Sequence, residues 1–314
     1  MTLPEVVRVG TRASALATTQ SRIVADAIRE QLGVETELVE ITTEGDRNRA
    51  PLASIGGVGV FVSALRDALL DGRIDVAVHS LKDLPTYAHE GIALAAIPPR
   101  EDPRDVLVAR DGLSLGELPV GSRVGTGSPR RVAQLRALGL GLEIAEIRGN
   151  VDTRLGKVAH AELDAVILAR AGLARLGRLD EITEVLDPLQ MLPAPGQGAL
   201  ALECRAADEA LTKALGVLDD PSARAQVTAE RAVLATLEAG CSSPVGVLAE
   251  IAEGDDGDEI WVRATALSTD GTLSVRQSIT GRPEEAADLG SRLARSMLAD
   301  GADRLDDPSP GGET

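Results

Sequence analysis

Val6-Val7-Arg8-Val9-Gly10 is a short apolar stretch typical of a β-strand, and the residues after it keep helical spacing as far as Gly33. Because glycine readily adopts a left-handed conformation, Gly33 predicts the end of a helix over residues 14–32. The alternation continues with a strand at 37–42, a helix at 60–70 and strands at 74–79 and 92–97. Strands that alternate with helices predict a mostly parallel sheet with helices on both faces.

A proline-rich break at residues 98–103 separates this part of the chain from a second αβ unit. The predicted strands of that unit are 106–109, 123–125, 142–147 and 164–169, and its predicted helices are 129–138 and 151–160. A second break at 192–198 precedes an apolar run at 199–202. We expect this run to be a strand that returns to the first sheet, so that the chain crosses twice between two lobes.

The sequence beyond the second break has a different character. It predicts a helix at 222–237, three alternating strands at 245–251, 260–267 and 273–279, and an amphipathic helix at 284–298. This order is typical of a small α+β domain. We therefore expect an α/β fold with three domains, formed by residues 1–98 with 199–217, by residues 104–193 and by residues 221–304, and a disordered tail at 305–314.

The composition excludes several classes of protein. The 314 residues carry 49 Asp+Glu against 32 Lys+Arg, a net charge of −17, with one Phe, one Tyr and one Trp. Such a chain is not typical of a nucleic-acid binder, which needs positive charge or stacking side chains. Two cysteines and three histidines without short spacings indicate neither a disulfide framework nor a metal site. Without an apolar leader or a long apolar run, we expect a soluble, cytoplasmic protein with no membrane partner.

The positive charge is concentrated in one segment. Residues 123–178 contain ten basic side chains against five acidic ones, inside a chain that is acidic overall. Nearly all of the basic residues are arginine, for which a genome-wide bias is an alternative explanation. Such a bias does not explain the local excess. The planar guanidinium group suits bidentate recognition of carboxylates or phosphates.

The motif Gly125-Thr126-Gly127-Ser128-Pro129-Arg130-Arg131 lies at the centre of this segment. Ser128 and Pro129 predict the start of a helix. Arg130 and Arg131 in its first turn oppose the helix dipole, which favours an anion bound at this helix end. A solvated basic face is the alternative.

Two further turns repeat this pattern of arginine beside a helix start. In Arg148-Gly149-Asn150-Val151-Asp152-Thr153-Arg154, Asn150 can cap the next helix and Gly149 permits a close approach. Thr11-Arg12-Ala13-Ser14 places another arginine at a strand-to-helix turn, where open α/β sheets bind ligands. Together the motifs predict several anionic groups held in one cleft.

Three other motifs carry candidate chemistry. His79-Ser80-Leu81-Lys82-Asp83-Leu84-Pro85 ends an apolar strand with a charged pair, which predicts an acid–base carboxylate or, alternatively, a surface salt bridge. The glycine-rich run at 56–61 lacks the ending of a phosphate-binding loop and is interpreted as a flexible loop or lid. Cys241 lies in a loop rich in small residues and is a candidate reactive thiol, whereas Cys204 in a predicted strand is expected to be buried.

Taken together, the motifs resemble the porphobilinogen deaminase family, in the order in which that family has them and from about residue 8 to residue 300. The resemblance implies three domains, of which the first two resemble periplasmic binding proteins. It also implies an enzyme that polymerises four porphobilinogen molecules into hydroxymethylbilane and releases ammonia. The matching stretches are residues 11–17, 56–61, 79–85, 125–131, 148–155, 171–177, 195–199 and 240–246.

The resemblance also implies the site residues. A covalent dipyrromethane cofactor would be attached to Cys241 through a thioether, and Asp83 would be the catalytic carboxylate. The implied cofactor-binding residues are Lys82, Thr126, Ser128, Arg130, Arg131 and Gln197. The implied substrate-binding residues are Arg12, Ser14, Gln20, Phe61, Arg148, Arg154 and Arg175.

This chemistry agrees with the residues. Each porphobilinogen carries an acetate and a propionate, so a growing chain presents many carboxylates to arginines. The sequence departs from the family at Val58, where members often have lysine and sometimes have another near Ser54. It also departs at Ser242-Ser243, where they commonly have Gln-Val. The main alternative is a non-catalytic two-lobed binding module for a dicarboxylate or phosphorylated small molecule, and a dinucleotide-dependent enzyme is a weaker one. An acidic surface with few aromatic side chains favours a monomer.

Overall fold

Strand β1 opens the first sheet of the computed structural model, which describes residues 3–41, 60–238, 244–254 and 257–306. The strands are β1 (Val6–Thr11), β2 (Glu35–Glu40), β3 (Val76–Ser80), β4 (Ile92–Ala96), β5 (Asp105–Ala109), β6 (Arg123–Thr126), β7 (Glu143–Glu146), β8 (Ala165–Ala169), β9 (Glu184–Val185), β10 (Leu200–Arg205), β11 (Val245–Gly254), β12 (Gly257–Leu267) and β13 (Ser274–Gly281). The helices are α1 (Ala15–Leu32), α2 (Val60–Leu70), α3 (Pro129–Ala137), α4 (Val151–Ala159), α5 (Arg170–Arg175), α6 (Glu209–Leu215), α7 (Pro221–Thr236) and α8 (Ala286–Ala299).

These elements form two compact units. Unit 1 comprises Met1–Pro103, Ala169–Asp180 and Gly196–Val227, and unit 2 comprises Arg104–Leu168, Glu181–Pro195 and Thr228–Thr314. The predicted division into three domains stays a prediction. In the part of the chain that the structure describes, the helices are too short or too polar to span a lipid bilayer.

The sheet of unit 1 has the strand order β2-β1-β3-β10-β4. Strand β1 pairs with β2 and β3 in parallel, whereas β10 pairs with β3 and β4 in the antiparallel direction. The prediction that the apolar run after the second break returns to the first sheet is thus confirmed. The prediction of a mostly parallel sheet is also confirmed, because β1, β2, β3 and β4 run in one direction and the returning strand β10 runs against its two neighbours.

Helix α1 covers this sheet through a buried apolar face. Val24 and Ile28 of the helix pack with Val7 and Val9 of β1 in one core cluster. The helix ends at Gly33, whose φ of 66° is left-handed and whose N–H donates to the carbonyl of Arg29. The helix predicted for residues 14–32 is therefore confirmed, together with the glycine that ends it.

Unit 2 contains a sheet with the order β7-β6-β8-β5-β9. Strand β6 pairs with β7 and β8 in parallel, so the carboxyl ends of these three strands meet at one edge. The N–H of Arg110, just after β5, donates to the carbonyl of Asp164, just before β8. Strand β5 therefore runs against β8 and begins, at Asp105, on the edge where β6 and β8 end.

The C-terminal part of unit 2 is an antiparallel sheet of the order β11-β12-β13, with helix α8 and the part of helix α7 from Thr228 onward. The helices approach closely at Gly290, where a Cβ would lie 2.2 Å from the carbonyl oxygen of Ala229. This sheet contacts the preceding α/β part, since the N–H of Val247 donates to the carbonyl of Pro193. Two sheet-and-helix lobes and a small C-terminal α+β part confirm the predicted fold class.

Candidate active site

The predicted site residues of unit 1 follow or precede strands at one edge of its sheet. Arg12 follows β1, Lys82 and Asp83 follow β3, and Gln197 precedes β10. Because β1 and β3 are parallel and β10 runs against them, the ends of β1 and β3 and the start of β10 share this edge. The pairing of Leu200 with Ser80 fixes the register there. Ligands bind at such edges in open α/β sheets.

The start of helix α1 is held by its own polar side chains. Ser14 is the N-cap, and its hydroxyl accepts a hydrogen bond from the N–H of Ala17 at 3.3 Å. The carbonyl of Arg12 accepts from the hydroxyls of Thr11 and Thr18. These contacts fix the backbone that carries the Arg12 side chain.

Gln20 connects helix α1 to the end of β3. Its side chain is buried, and its amide nitrogen lies 3.2 Å from the hydroxyl oxygen of Ser80. Ser80 directly precedes the short 3-10 turn Leu81–Asp83. In the described structure Gln20 therefore supports the segment that carries Asp83.

The turn Leu81–Asp83 presents one anchored and one exposed charged side chain. The ammonium group of Lys82 donates to Oε1 of Gln197 at 3.3 Å, and Nε2 of Gln197 donates to the carbonyl of Pro103 at 2.7 Å. The side chain of Asp83 is exposed. An exposed carboxylate beside an anchored lysine is suited to exchange protons with a bound ligand.

Gly198 and Arg175 complete the described site residues of unit 1. Gly198 has a φ of 89°, and a Cβ there would lie 2.3 Å from the carbonyl oxygen of Glu101, so this position requires glycine. Nη2 of Arg175 donates to the carbonyl of Gly198 at 2.6 Å. Burial lowers the pKa of Arg175, against the charge of Glu101, which raises it.

In unit 2, the end of β6 brings the backbone into close contact with its neighbour strand. A Cβ on Gly127 would lie 2.5 Å from the carbonyl oxygen of Ile147. The N–H of Ser128 donates to the hydroxyl of the buried Thr126 at 3.3 Å. Ser128 occupies the N-cap position of α3, as predicted, but its side chain makes no capping hydrogen bond. Its hydroxyl is therefore not used in holding the helix.

The two arginines at the start of α3 are buried against an acidic residue. Nη2 of Arg130 lies 2.8 Å from Oδ2 of Asp105, and Nη2 of Arg131 lies 2.7 Å from Oδ1. The exposed fractions of Arg130, Arg131 and Asp105 are 4%, 5% and 0%. Burial lowers the pKa of Arg130, although Asp105 opposes this effect. The alternative of a solvated basic face is thus wrong.

Asp105 is the residue that the sequence analysis missed. The sequence carries one weak signal for it, an acidic side chain directly before the apolar strand residues 106–109. A carboxylate at such a position needs positive partners because burying it alone is costly. Two arginines share this single carboxylate, so the buried cluster keeps an excess positive charge.

Helix α4 and the turn that precedes it carry the remaining predicted arginines of unit 2. Oδ1 of Asn150 accepts from the N–H of Thr153 at 2.9 Å, which confirms the predicted cap. Arg148 contacts the exposed Glu146, and Nε of Arg154 donates to the carbonyl of Gly149 at 2.9 Å.

The charge on Arg154 is poorly compensated. Burial lowers the pKa of Arg154, and the positive charge of Arg131 lowers it further. No carboxylate among the described residues forms an ion pair with Arg154. A desolvated guanidinium of this kind is suited to bind the carboxylate of a ligand.

Several predicted positions lie outside the described residues. These are Cys241, Ser242 and Ser243 of the cysteine loop, Ser54 and Val58 of the glycine-rich run, and the side chain of Phe61, whose backbone lies in helix α2. Cys204 is described. It is buried in β10 with its sulfur 3.1 Å from the hydroxyl of Thr212, and burial raises the pKa of its thiol, so the prediction of a buried thiol is confirmed.

The described residues of unit 2 fit a ligand with several carboxylates. Arg130 and Arg131 have one carboxylate between them, and Arg154 has only a backbone oxygen. Dipyrromethane carries acetate and propionate side chains, so its charge complements this excess. Charge-assisted hydrogen bonds from guanidinium groups are the usual means of holding such groups.

Comparisons with known proteins give the same family for both parts of the chain. Residues 7–213 match the family model described as porphobilinogen deaminase, dipyromethane cofactor binding domain, and residues 224–299 match the porphobilinogen deaminase C-terminal domain. The chain is 58% identical over 305 residues to the porphobilinogen deaminases of Mycobacterium bovis and Mycobacterium tuberculosis, covering 96% of this chain and 98% of each relative. The corresponding protein of Mycobacterium ulcerans is 57% identical and is covered over 96% of its length.

Among solved structures, the chain is similar to the methionine binding protein MetQ, with a TM-score of 0.43, 14% identity and coverage of 69% of this chain and 90% of that one. A periplasmic substrate-binding protein of an ABC transporter from Coxiella burnetii has the same TM-score and identity and is covered over 96% of its length, against 72% of this chain. The fold class rests on the sheets described above. The family models and the mycobacterial relatives, which together span nearly the whole chain, show that it belongs to the porphobilinogen deaminase family.

Proposed function

We propose that this chain joins four porphobilinogen molecules head to tail into hydroxymethylbilane, with release of ammonia, and that Asp83, Cys241 and the arginines named above carry the reaction. The activity and its dipyrromethane cofactor follow from the family. The desolvated Arg154, beside a cluster of two arginines that share Asp105, is the observation that supports the assignment of these residues.

Binding of substrate is assigned to the arginines. Every porphobilinogen unit brings an acetate and a propionate, so each elongation step adds two negative charges. A guanidinium group keeps its positive charge at any physiological pH, so it holds these carboxylates without donating a proton to the reaction. In unit 2, Arg148 and Arg154 are assigned to this role. In unit 1, Arg12 and Arg175 are assigned to it. The supporting positions in unit 1 are Ser14, Gln20 and Phe61.

Proton transfer and charge stabilisation are assigned to Asp83. Loss of ammonia from porphobilinogen leaves a cation, the azafulvenium. The carboxylate of Asp83 would stabilise this developing positive charge and accept hydrogen bonds from pyrrole N–H groups. In its protonated form it would donate a proton to the departing amine. Its exposure at the ligand edge of the sheet permits both roles.

Cys241 is assigned as the attachment point of the cofactor. When bound, dipyrromethane supplies the terminal pyrrole carbon to which the first substrate unit is joined. Arg130 and Arg131 in unit 2 and Lys82 in unit 1 would donate to its carboxylates, with Thr126, Ser128 and Gln197 as supporting polar positions. A permanent anchor needs no neighbouring base, unlike a cysteine that acts as a nucleophile in every turnover.

The alternative of a non-catalytic binding module is not favoured, because both family models that match are those of the enzyme. The two proposals differ in covalent chemistry, since a binding module needs no thioether.

The mass of the intact protein tests the cofactor anchor. We expect an excess over the sequence mass that equals two pyrrole units, localised by peptide mapping to the peptide that contains Cys241. Cys241→Ala should lack this excess, whereas Cys204→Ala should keep it because the Cys204 thiol is buried. An unmodified protein that still binds porphobilinogen would favour the binding module.

Replacement of Asp83 tests the catalytic assignment. Asp83→Asn preserves the shape of the side chain and removes its charge and its proton, so turnover should fall by at least about 100-fold. The covalent cofactor should remain, as measured by mass. Asp67→Asn, an exposed aspartate on helix α2, serves as the matched control and should retain full turnover. A rate for Asp83→Asn close to that of the parent would exclude the assigned role.

We propose that the enzyme acts in the cytoplasm and as a monomer. The acidic composition supports the second point, because copies with a net charge of −17 repel one another.

A further inference from the structure

A buried ionic cluster includes a residue of β3, the strand that precedes the turn with Asp83. Glu203 on β10 accepts hydrogen bonds from Nε of Arg66 at 2.9 Å and from Nη2 of Arg66 at 2.6 Å. Nε2 of His79 on β3 lies 3.2 Å from the same carboxylate. The side chains of Arg66, Glu203 and His79 are 8%, 5% and 4% exposed. We refer to these three residues as the Glu203 cluster.

The Glu203 cluster is not explained by stability alone. Taking an ion pair out of water costs about as much as the pair regains, and apolar side chains of the same size often stabilise a core equally well. The register of β10 against β4 also shifts between Leu202 and Glu203. Such irregularities redirect a side chain and occur often beside functional sites. The carboxylate thus lies on a part of β10 that departs from regular pairing.

The cluster connects three elements that contain or directly adjoin predicted site residues. Arg66 lies on helix α2, which contains Phe61 near its start. His79 is the residue before Ser80, after which the turn with Lys82 and Asp83 begins. Glu203 lies on the strand that follows Gln197.

Backbone pairing between β3 and β10 connects the Glu203 cluster to the ligand edge of the sheet. His79 is the register partner of Ala201, and the N–H of Leu81 donates to the carbonyl of Ala199 at 3.0 Å. The end of β3 is thus fixed to β10 by backbone hydrogen bonds and by the contact of His79 with Glu203. A shift of β10 or of the His79 ring would move the turn that carries Asp83.

We propose that Glu203 and His79 are positioning residues for Asp83, with Arg66 holding the Glu203 carboxylate in place. The cluster fixes the end of β3 against β10 and so sets the place of the Asp83 carboxylate relative to the bound substrate. Misplacement of a catalytic group by about 1 Å can cost roughly 100-fold in rate. This inference rests on the proposed role of Asp83 and goes beyond it, because none of the three residues lies at the exposed edge.

The central experiment measures steady-state kinetics of the holoenzyme carrying Glu203→Gln. Glutamine keeps the size of the side chain and removes the charge that holds Arg66 and His79. We expect kcat to fall by about 10- to 100-fold, with KM for porphobilinogen and the mass of the attached cofactor unchanged. A role in stability alone would lower the unfolding temperature and leave kcat at low temperature unaffected.

Asp75→Asn is the matched control because it removes a similarly buried carboxylate beside the start of β3, whereas the Glu203 cluster contacts the end of β3 through His79. Asp75 precedes β3 and binds Arg8 and Arg205 at 2.8 Å each. Its replacement should lower stability but leave kcat and KM unchanged. A fall in kcat equal to that of Glu203→Gln would mean that any weakened pairing of this sheet slows turnover, and would overturn the proposal.

A second variant keeps the test valid if Glu203→Gln does not fold. His79→Leu leaves the Arg66–Glu203 pair intact and removes only the contact with β3, and the same fall in kcat is expected. The proposal is overturned if kcat of this variant, or of a folded Glu203→Gln, stays within about twofold of the parent. Asp83→Asn separates the two proposals. If Asp83→Asn retains turnover, the catalytic assignment of Asp83 fails. If Asp83→Asn loses turnover but the variants of the Glu203 cluster do not, only the positioning role of the cluster fails.

Discussion

At the scale of single residues, replacement of Arg154 distinguishes a role in ligand binding from a role in folding. Burial and the positive charge of Arg131 both lower the pKa of the Arg154 guanidinium group. Among the described residues, the hydrogen-bond partner of this side chain is the carbonyl of Gly149. Arg154→Leu should therefore change the free energy of unfolding by no more than about 1 kcal/mol. Cofactor content should fall, or KM for porphobilinogen should rise, by at least about 10-fold, because a charge-assisted hydrogen bond to a carboxylate is lost.

The matched control for this variant lies on the same helix. Lys157 pairs with Glu162 on the protein surface, and exposed pairs of this kind contribute little to stability. Lys157→Gln should leave cofactor content, KM and the denaturant midpoint close to those of the parent. A loss of stability in Arg154→Leu without any change in ligand handling would contradict the assigned role.

Single residues also show where the sequence ceases to be informative. Arg130 and Arg131 could be identified because two arginines in the first turn of a helix oppose its dipole. Their partner Asp105 could not, because it lies 26 positions from Arg131 and meets it only once β5 has been placed beside β8. The anion expected at this helix end is therefore in part the protein's own carboxylate, a contact that depends on tertiary structure.

At the scale of elements, Glu203 makes the packing of α2, β3 and β10 dependent on pH. Burial by itself would raise the pKa of Glu203, but the hydrogen bonds from Arg66 and the close approach of His79 lower it to about 2, against an ordinary value of 4.5. Since the folded pKa lies below the unfolded one, the unfolded chain binds a proton more readily in this range. The stabilisation is complete above the ordinary value and is lost as the pH falls towards 2.

Denaturant unfolding of the parent and of Glu203→Gln at several pH values measures this dependence. The parent should be the more stable of the two near neutral pH, and the difference in free energy of unfolding should shrink as the pH falls from about 4.5 towards about 2. A difference that stays constant across this range would show that Glu203 is not held as an ionised group.

Elements also differ in how far the sequence predicts them. The return of β10 to the first sheet could be predicted from the two breaks and the apolar run between the second break and Cys204. Its antiparallel direction could not, because apolar alternation is the same in both directions along a strand. Strand β9 consists of Glu184 and Val185 alone and has no apolar run to reveal it.

At the scale of the whole molecule, the basic side chains of the arginine-rich segment differ in whether an acidic side chain lies beside them. Within residues 123–178, Glu162 pairs with Lys157 and Asp164 binds the backbone of Arg123 at the surface. Arg154 contacts a backbone oxygen instead. The local excess of positive charge therefore includes a guanidinium with no carboxylate partner among the described residues, which agrees with the proposed role of Arg154 in ligand binding.

The remaining acidic charge predicts the behaviour of the protein in solution. Copies with a net charge of −17 repel one another at neutral pH, so size-exclusion chromatography with light scattering should give the mass of one chain, 32.6 kDa, plus the cofactor. The repulsion vanishes near the isoelectric point of 4.7, where association should increase. Salt screens this repulsion. If the chain has no apolar interface whose pairing the repulsion prevents, added salt should leave the mass at neutral pH nearly unchanged. A mass of two chains at neutral pH and low salt would show that a specific interface overcomes this charge, and the proposed monomer would then have to be abandoned.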